Sequence, residues 1–298
     1  MKNKKIIITI PAYNEEKTLG PVLAGIKKAM EKSGREYSIL VVNDGSTDNT
    51  EKIAKQNGAT VVSHPINYGL AEAFRTEIDK CLEIDADVIV HTDADGQYRA
   101  NEIQLLLKKI DEGYDLVLGS RFMGKIEKMP IIKKFGNRAF SKVITHITGM
   151  KITDGQTGFR AFTKEFAKKV KITSNHTYTQ EQIIRAVKEK FKVVEIPIHF
   201  DKRGGKTKSR LMKNPFEYAI RAWINILRIL RDYEPLKFFG YIGGLFFGAG
   251  FLIGLWVFFR FILTGVVGAL PRVLVSVLFI SIGMQILLFG FLADMVKK

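Results

Sequence analysis

An α/β domain built on a mainly parallel sheet, continued by two long apolar helices, is the architecture that this 298-residue sequence predicts. Three observations carry the expectation. Short β-branched runs alternate with helical patterns from residue 5 to residue 198. Carboxylate-rich polar segments follow three of those runs, at the points where strands should end. Two stretches without a formal charge, Phe238–Phe259 and Val273–Ala293, lie near the end of the chain.

The runs at 5–10 (Lys-Ile-Ile-Ile-Thr-Ile), 37–43 (Tyr-Ser-Ile-Leu-Val-Val-Asn), 59–63 and 87–92 read as strands, because β-branched side chains suit a pleated surface. Helical periodicity at 15–31, 48–57 and 68–84 supplies the crossovers between them. Such alternation produces parallel strands with helices on both faces of the sheet. Farther along, a helix is expected at 100–112, a strand at 114–119, helices at 133–148 and 179–190, and a strand at 192–198. The N-terminus, Met1-Lys-Asn-Lys-Lys5, is basic like the start of a signal peptide. Ile6–Ile10 is too short for the apolar core of one, and Pro11 follows at once, so the segment reads as the first strand.

Lysine and arginine number 46 against 30 acidic residues, a formal charge of +16, with 46% hydrophobic and 26% charged residues. That balance excludes simple disorder and a fully membrane-embedded bundle. One cysteine, Cys81, excludes an intramolecular disulfide framework and suits a reducing compartment. The five histidines (64, 91, 146, 176 and 199) have no zinc-like spacing. Positive charge also prompts a nucleic-acid reading, but the lysines are interspersed with acids and no recognition module appears; nucleic acid is not an expected partner.

At ~1.5 Å per residue the two uncharged stretches would be about 33 and 31 Å long as helices, close to the ~30 Å hydrocarbon thickness of a bilayer. Soluble helices of this length normally carry a polar stripe. Arg221, Arg228, Arg231 and Lys237 precede the first stretch and Lys297 and Lys298 follow the second, with only Arg260 and Arg272 between. The expectation is a two-span membrane protein with its front domain and both termini cytoplasmic. Within Asn214–Tyr233, Phe216, Ala219, Ile220, Trp223, Ile224, Leu227 and Leu230 recur at helical spacing with arginines between them. Such a helix lies on the bilayer surface, or else packs on the domain core. The expected divisions are a cytosolic catalytic domain over 1–212, an interfacial helix over 213–235 and a transmembrane hairpin over 236–298.

In open sheets of this class, ligands bind beyond the carboxyl ends of the strands. Pro11-Ala-Tyr-Asn-Glu-Glu, Asn43-Asp-Gly-Ser-Thr-Asp and Asp93-Ala-Asp-Gly-Gln all fall there, which makes one lip of the sheet the expected active site. Asp93 and Asp95 follow the apolar run Val88–Val90. Carboxylates at a strand end hold Mg²⁺ or Mn²⁺, which prefer hard oxygen ligands and share them with substrate phosphates. An isolated Asp-Xaa-Asp is more often a loop or helix cap; its company here reverses that balance.

Taken in order, Pro11–Glu15, Val41–Asp48, Asn67-Tyr-Gly69 and Asp93–Gln97 resemble a family-2 glycosyltransferase with a GT-A domain. Gly119-Ser-Arg121, Asp154–Phe159 and Val194–Pro197 narrow the resemblance to the polyprenyl-phosphate glycosyltransferases, over roughly residues 4–212. The resemblance implies a UDP-sugar donor (glucose or N-acetylglucosamine) or GDP-mannose, Mg²⁺ or Mn²⁺, and dolichyl or another polyprenyl phosphate as acceptor. By position, Pro11, Tyr13, Glu15 and Asp44 would line the nucleoside pocket, Asp93 would contact metal or ribose, and Asp95 and Gln97 would contact metal. Ser120 and Arg121 would grip the acceptor phosphate through hydroxyl and guanidinium groups, joined by Lys133 and Arg138. Lys133 stands where some relatives have arginine, and a lysine cannot bind phosphate in bidentate fashion. Arg203, Lys206 and Lys208, in the glycine-rich basic segment 201–210, would neutralise the leaving diphosphate. Asp93, Asp95 and Arg121 form the expected catalytic set.

Each of these residues also has a plainer reading. Asp44 can cap the following Gly-Ser-Thr turn, Tyr13 can belong to the core, and Gln97 can cap the helix near Asn101. Arg121, Lys133 and the basic segment can be solvated surface. Asp154 and Glu181 are polar organisers or structural groups. A lipid monophosphate is largely ionised near neutral pH and needs no strong base, so direct displacement with inversion is implied. A processive polysaccharide synthase is the nearest rival. Gln182-Ile-Ile-Arg185 resembles the start of its Gln-Xaa-Xaa-Arg-Trp motif, but Ala186 occupies the Trp position and two spans are few for an export channel. A silent basic membrane scaffold is the non-enzymatic alternative, against which Asp93, Asp95, Gln97 and Arg121 together argue.

Overall fold

A computed structural model describes residues 4–173, 178–202, 215–268 and 270–296. The chain divides into two units, Met1–Pro215 and Phe216–Lys298.

Among the described residues the first unit has seven strands: β1 (Ile6–Ala12), β2 (Tyr37–Asn43), β3 (Thr60–Ser63), β4 (Val88–His91), β5 (Leu116–Ile126), β6 (Arg160–Thr163) and β7 (Val193–Phe200). Their order across the sheet is β3-β2-β1-β4-β6-β5-β7. Only β6 runs antiparallel to its neighbours, pairing Val90 with Ala161 on one side and Val117 with Ala161 on the other. Ile6, Ile7, Ile8, Thr9 and Ile10 are all buried, as a parallel strand covered on both faces requires. The covering helices are α1 (Leu19–Glu31), α2 (Thr50–Gln56), α3 (Leu70–Glu83), α4 (Ile103–Asp111), α5 (Ile131–Thr148), α6 (Lys164–Lys169) and α7 (Thr179–Lys188). In α1, Leu19, Leu23, Ile26 and Met30 recur on one face and enter the main core with Ile8, Ile10 and Val90. Cys81 on α3 is buried.

Four elements depart from the sequence reading. The helix expected from residue 15 starts at Leu19, because the amides of Thr18 and Leu19 both bond the Glu15 carbonyl and close a turn first. β5 runs on to Ile126, rejoining β7 at Lys125 after an irregularity beyond Ser120. β6 and α6 are additions: four residues beginning with an arginine carry no strand periodicity to read. The reversal of β6 has a positional effect. The segment 153–159 that feeds into it opens at the same lip as the ends of β1, β2 and β4.

The second unit comprises α8 (Pro215–Tyr233), α9 (Pro235–Thr264) and α10 (Leu270–Val296). The last two extend past the expected spans at both ends. In α8, Ile220, Trp223 and Ile224 are exposed and Ile226 is buried. Between α9 and α10 the buried residues are Gly243, Gly250, Ser276, Gly283 and Gly290, spaced by seven along each helix. The backbones approach so closely that a Cβ on Gly283 would lie 2.4 Å from the Phe247 nitrogen. The Ser276 hydroxyl crosses the seam to donate to the Gly250 carbonyl at 2.7 Å. Small residues at such a seam are what lets apolar helices pack in lipid. Only 11% and 17% of the most apolar windows of α9 and α10 are buried, so the remaining surface is large apolar side chains facing outward.

Candidate active site

The loops after β1 and β2 are laced together. Asn14, with φ 53, accepts from the Thr47 amide at 2.7 Å through its side-chain oxygen, and its own amide donates to Ser46 Oγ at 2.9 Å. The Glu15 amide donates to Thr50 Oγ1 at 2.8 Å and the Glu16 amide to Asp48 at 3.2 Å. Glu15 Oε2 accepts from Thr18 Oγ1 at 2.7 Å. Pro11, Tyr13 and Glu15 are half-buried along this lip.

Asp44 is buried, and its carboxylate is the anchor of the 64–69 loop. Oδ1 accepts from the Tyr68 amide at 2.9 Å and pairs with His64 Nδ1 at 2.8 Å. Oδ2 accepts from the Gly69 amide and the Asn67 side chain, each at 2.9 Å. Gly45 has φ +70, and a Cβ there would lie 2.3 Å from the Ile66 carbonyl carbon, so the loop closes only over glycine. Both Asp44 oxygens are therefore engaged by protein donors. The expected bond to a base or ribose needs this loop to yield one, and the turn that follows is capped instead by Asn43 Oδ1, which accepts from the Ser46 amide.

Asp93 and Asp95 lie just past β4, partly exposed at the lip. A Cβ on Gly158 would come within 2.8 Å of Asp93 Oδ1, so the glycine makes room for that carboxylate. Asp95 Oδ1 accepts from the Gln97 amide at 3.1 Å. The Gln97 side chain does not cap a helix; its amide group donates to the Asp201 carbonyl at 3.1 Å. Arg99 forms a bidentate pair with Asp201, both bonds at 2.7 Å, and fastens the end of β7 beside the Asp93–Gln97 loop. Arg203, Lys206 and Lys208 lie outside the described residues.

Beneath Asp93 is a buried polar chain. The His91 ring pairs Nδ1 with Glu77 Oε2 at 2.7 Å and Nε2 with the Tyr178 hydroxyl at 2.7 Å. Thr9 Oγ1 donates to the same Glu77 oxygen at 3.1 Å. With Tyr178 donating, these partners select the tautomer protonated at Nδ1. Burial pushes the Glu77 carboxyl above its usual range, against the opposing pull of His91. Arg160 stands nearby, fully buried, bonded to Gln182 Oε1 and the Thr157 carbonyl. Burial holds its pKa below the ordinary value.

Arg121 is 8% exposed and Asp154 fully buried. Nε and Nη2 of the guanidinium donate to the two Asp154 oxygens at 2.6 and 2.7 Å, and the Arg121 amide adds a third bond at 3.0 Å. Burial opposes the Arg121 charge, but the Asp154 field and hydrogen bonds outweigh it, with a smaller contribution from Asp93, and raise its pKa. Asp154 is held in turn by Glu195 on β7, which accepts from the amides of Thr153 and Asp154 at 2.8 and 2.9 Å. Nη1 of Arg121 makes no hydrogen bond among the described residues. Ser120 corrects the sequence reading. Its hydroxyl is fully buried, bonded to Thr153 Oγ1 at 2.6 Å and accepting from the Met123 amide, so both partners the structure gives it are protein groups. On α5, Lys133 is half-buried in the first turn, and the exposed Arg138 packs its guanidinium 5.6 Å from the Phe122 ring centroid. Glu181 accepts from the Thr173 amide and pairs with Arg185.

The glycosyl transferase family 2 model matches residues 7–171. This chain belongs to that family. Among proteins of the family, the dolichyl-phosphate hexose transferase of Haloferax volcanii is 33% identical over 204 residues, covering 68% of this chain and 86% of its own. The UDP-N-acetylglucosamine–dolichyl-phosphate N-acetylglucosaminyltransferase of Methanococcus voltae is 32% identical over 222 residues, covering 66% and 86%. Among solved structures, glucosyl-3-phosphoglycerate synthase of Mycobacterium tuberculosis, in complex with Mn²⁺, UDP and glucosyl-3-phosphoglycerate, superposes with TM-score 0.59 at 19% identity, over 76% of this chain and 79% of that one. That likeness concerns the GT-A fold.

A family-2 glycosyltransferase with this lip has a donor set suited to one kind of cation. Among the described residues no three His, Cys, Asp or Glu side chains converge. Asp93 and Asp95 offer carboxylate oxygens and Gln97 an amide oxygen. A sparse set of hard oxygens fits Mg²⁺ or Mn²⁺ that keeps water and takes substrate phosphates, not a cation caged by protein alone. Sequence reasoning missed His91, Glu77 and Arg160, whose bonds to Tyr178, Thr9 and Gln182 join different elements of the fold. It weighed Asp154 without its role as counter-ion to Arg121.

Proposed function

We propose that this chain transfers a hexosyl group from a nucleotide-diphosphate sugar to dolichyl or another polyprenyl phosphate at a membrane surface, with inversion at the anomeric carbon. The observation that supports the reading is that Asp93 and Asp95 follow β4 while Arg121 lies on β5, in a sheet where these two strands run the same way either side of β6. The two outward-apolar helices of the second unit support a lipid acceptor. So do the names borne by the Haloferax and Methanococcus relatives. The Methanococcus protein's name also favours a UDP-sugar donor.

In this reading residues 1–212 form the catalytic domain, 213–235 an interfacial helix and 236–298 a hairpin that crosses the membrane, with the domain and both termini cytoplasmic. Pro11, Tyr13 and Glu15 line the nucleoside pocket, and Asp44 holds its loop in shape. Asp93, Asp95 and Gln97 would hold Mg²⁺ or Mn²⁺, whose charge would stabilise the departing nucleoside diphosphate. Arg203, Lys206 and Lys208 add positive charge for the same leaving group. Arg121, oriented by Asp154, presents Nη1 to the acceptor phosphate, with Lys133 and Arg138 adding attraction from α5. An acceptor oxygen forms the new bond to the anomeric carbon while the bond to the diphosphate oxygen breaks on the opposite face. The nucleophile is already an anion. The residues therefore act by holding two repelling phosphates at one carbon, and not by removing a proton.

Incubating the purified full chain with dolichyl phosphate, Mg²⁺ or Mn²⁺, and each of UDP-glucose, UDP-N-acetylglucosamine and GDP-mannose tests the reading by mass spectrometry of the lipid product. A sugar-phosphate lipid is expected with one donor. Its absence with all three would overturn the proposal. Asp95→Ala is expected to lower turnover by about two to three orders of magnitude while leaving membrane insertion intact; undiminished turnover would overturn the metal assignment.

A further inference from the structure

The far end of the hairpin carries a cluster that glycosyl transfer does not use. Trp256 lies about 31 Å along α9 from Pro235 at ~1.5 Å per residue, which is one hydrocarbon thickness from where the helix begins. Arg260, one turn on, places its guanidinium carbon 5.5 Å from the indole centroid. Arg272, near the start of α10, places its own 5.1 Å from the same ring. Two cations thus share one indole. From residue 235 to residue 293 the sequence has no aspartate or glutamate, and neither arginine has an ion pair among the described residues. Beside them is an apolar cleft of about 550 Å³, lined by Leu252, Ile253, Trp256, Pro271, Arg272 and Val275.

Like charges drawn to one ring repel each other, and cation–π contact offsets only part of that. An anion between the guanidiniums would relieve the rest. A planar guanidinium matches a phosphate in bidentate geometry. The depth of the cluster is the level of the lipid headgroups, and the cleft next to it offers an apolar chain a place to lie.

We infer that the hairpin tip is a binding site for an anionic phospholipid, with the headgroup phosphate between Arg260 and Arg272 and an acyl chain along the Leu252–Val275 cleft. This rests on the reading of α9 and α10 as membrane spans. The tryptophan reports on its own site. In a Trp223→Phe background, Trp256 is the remaining indole. The full chain is reconstituted in phosphatidylcholine vesicles with equal mole fractions of phosphatidylglycerol or phosphatidylcholine brominated near the headgroup.

Brominated phosphatidylglycerol is expected to associate with Trp256 about fivefold more strongly than brominated phosphatidylcholine. Arg260→Gln with Arg272→Gln should bring the two lipids close to equality. Equal quenching by both lipids in the unsubstituted tip would overturn the site while leaving the spans standing. No quenching by either lipid would overturn the membrane reading itself, and the site with it. Loss of the preference on adding inorganic phosphate would assign the cluster to free anions and overturn the lipid assignment; retention supports it. Should the double variant fail to insert, Arg272→Gln alone carries the same comparison, and an unchanged preference there would also overturn the site.

Discussion

Between β1, β2 and β4 the lip is made of carboxylates and hydroxyls held mainly by backbone amides and neutral side chains. Between β6, β5 and β7 it is made of a guanidinium and a carboxylate that hold each other. Asp44 accepts from two amides and an asparagine and pairs with His64, while Asp93 and Asp95 stay partly exposed. Arg121 and Asp154 are bonded three times over, with Asp154 fully buried and Arg121 8% exposed. The first arrangement leaves anionic oxygens able to exchange partners when a ligand arrives. The second fixes one cation in place, because an unpaired charge at that depth is expensive. The same lip therefore has an adaptable side and a rigid side.

Breaking the rigid side should have the larger effect on stability. Asp154→Ala leaves Arg121 buried without its counter-charge and is expected to cost about 3–5 kcal/mol, read as a lowered midpoint in denaturant. A loss below about 1 kcal/mol would mean that solvent already reaches the pair, and the contrast between the two sides would fall. On the adaptable side, Gly158→Ala places a methyl group against Asp93 and should lower turnover by about ten- to a hundredfold. The stability cost should stay within about 1–3 kcal/mol. Turnover equal to wild type would show that the Asp93 carboxylate can move aside without consequence.

A subtler difference concerns pH. Burial pushes the Glu195 carboxyl above its ordinary range, against the bonds it accepts from Thr153 and Asp154. A carboxyl raised in the folded state binds protons more readily there than in the unfolded chain. Its contribution to stability is therefore greatest at low pH, and declines as pH rises from the ordinary value of about 4.5 to the raised one. The stability advantage of wild type over Glu195→Gln should accordingly shrink between those limits. Denaturation midpoints that diverge as pH rises would show that Glu195 is not held above its usual range.

The adaptable side was the legible one. Its strands are apolar runs of four to seven residues, and the carboxylates follow them directly, so strand and candidate site lie in one stretch of sequence. The rigid side is assembled across distance. Arg121 and Asp154 are 33 residues apart on different elements, and no local pattern declares their pairing. Ser120 and Arg121 are adjacent, yet alternation along the strand sends the hydroxyl inward and leaves the guanidinium at the lip. β6 hides for a related reason: its arginine is buried with bonds from its two terminal nitrogens to Gln182 and Thr157, an arrangement visible only in three dimensions. The two apolar helices were plain from composition, whereas the glycine seam that joins them needed the packing.

The Arg121–Asp154 clamp also bears on the entropy of recognition. An arginine free in solvent samples many rotamers, worth about 2 kcal/mol when it is immobilised. Here that freedom is surrendered during folding, when Asp154 takes Nε and Nη2. An anion meeting Nη1 encounters a side chain with little left to lose. Orientation at this corner is settled before any ligand arrives, and the free energy of an encounter there is left for the contact itself.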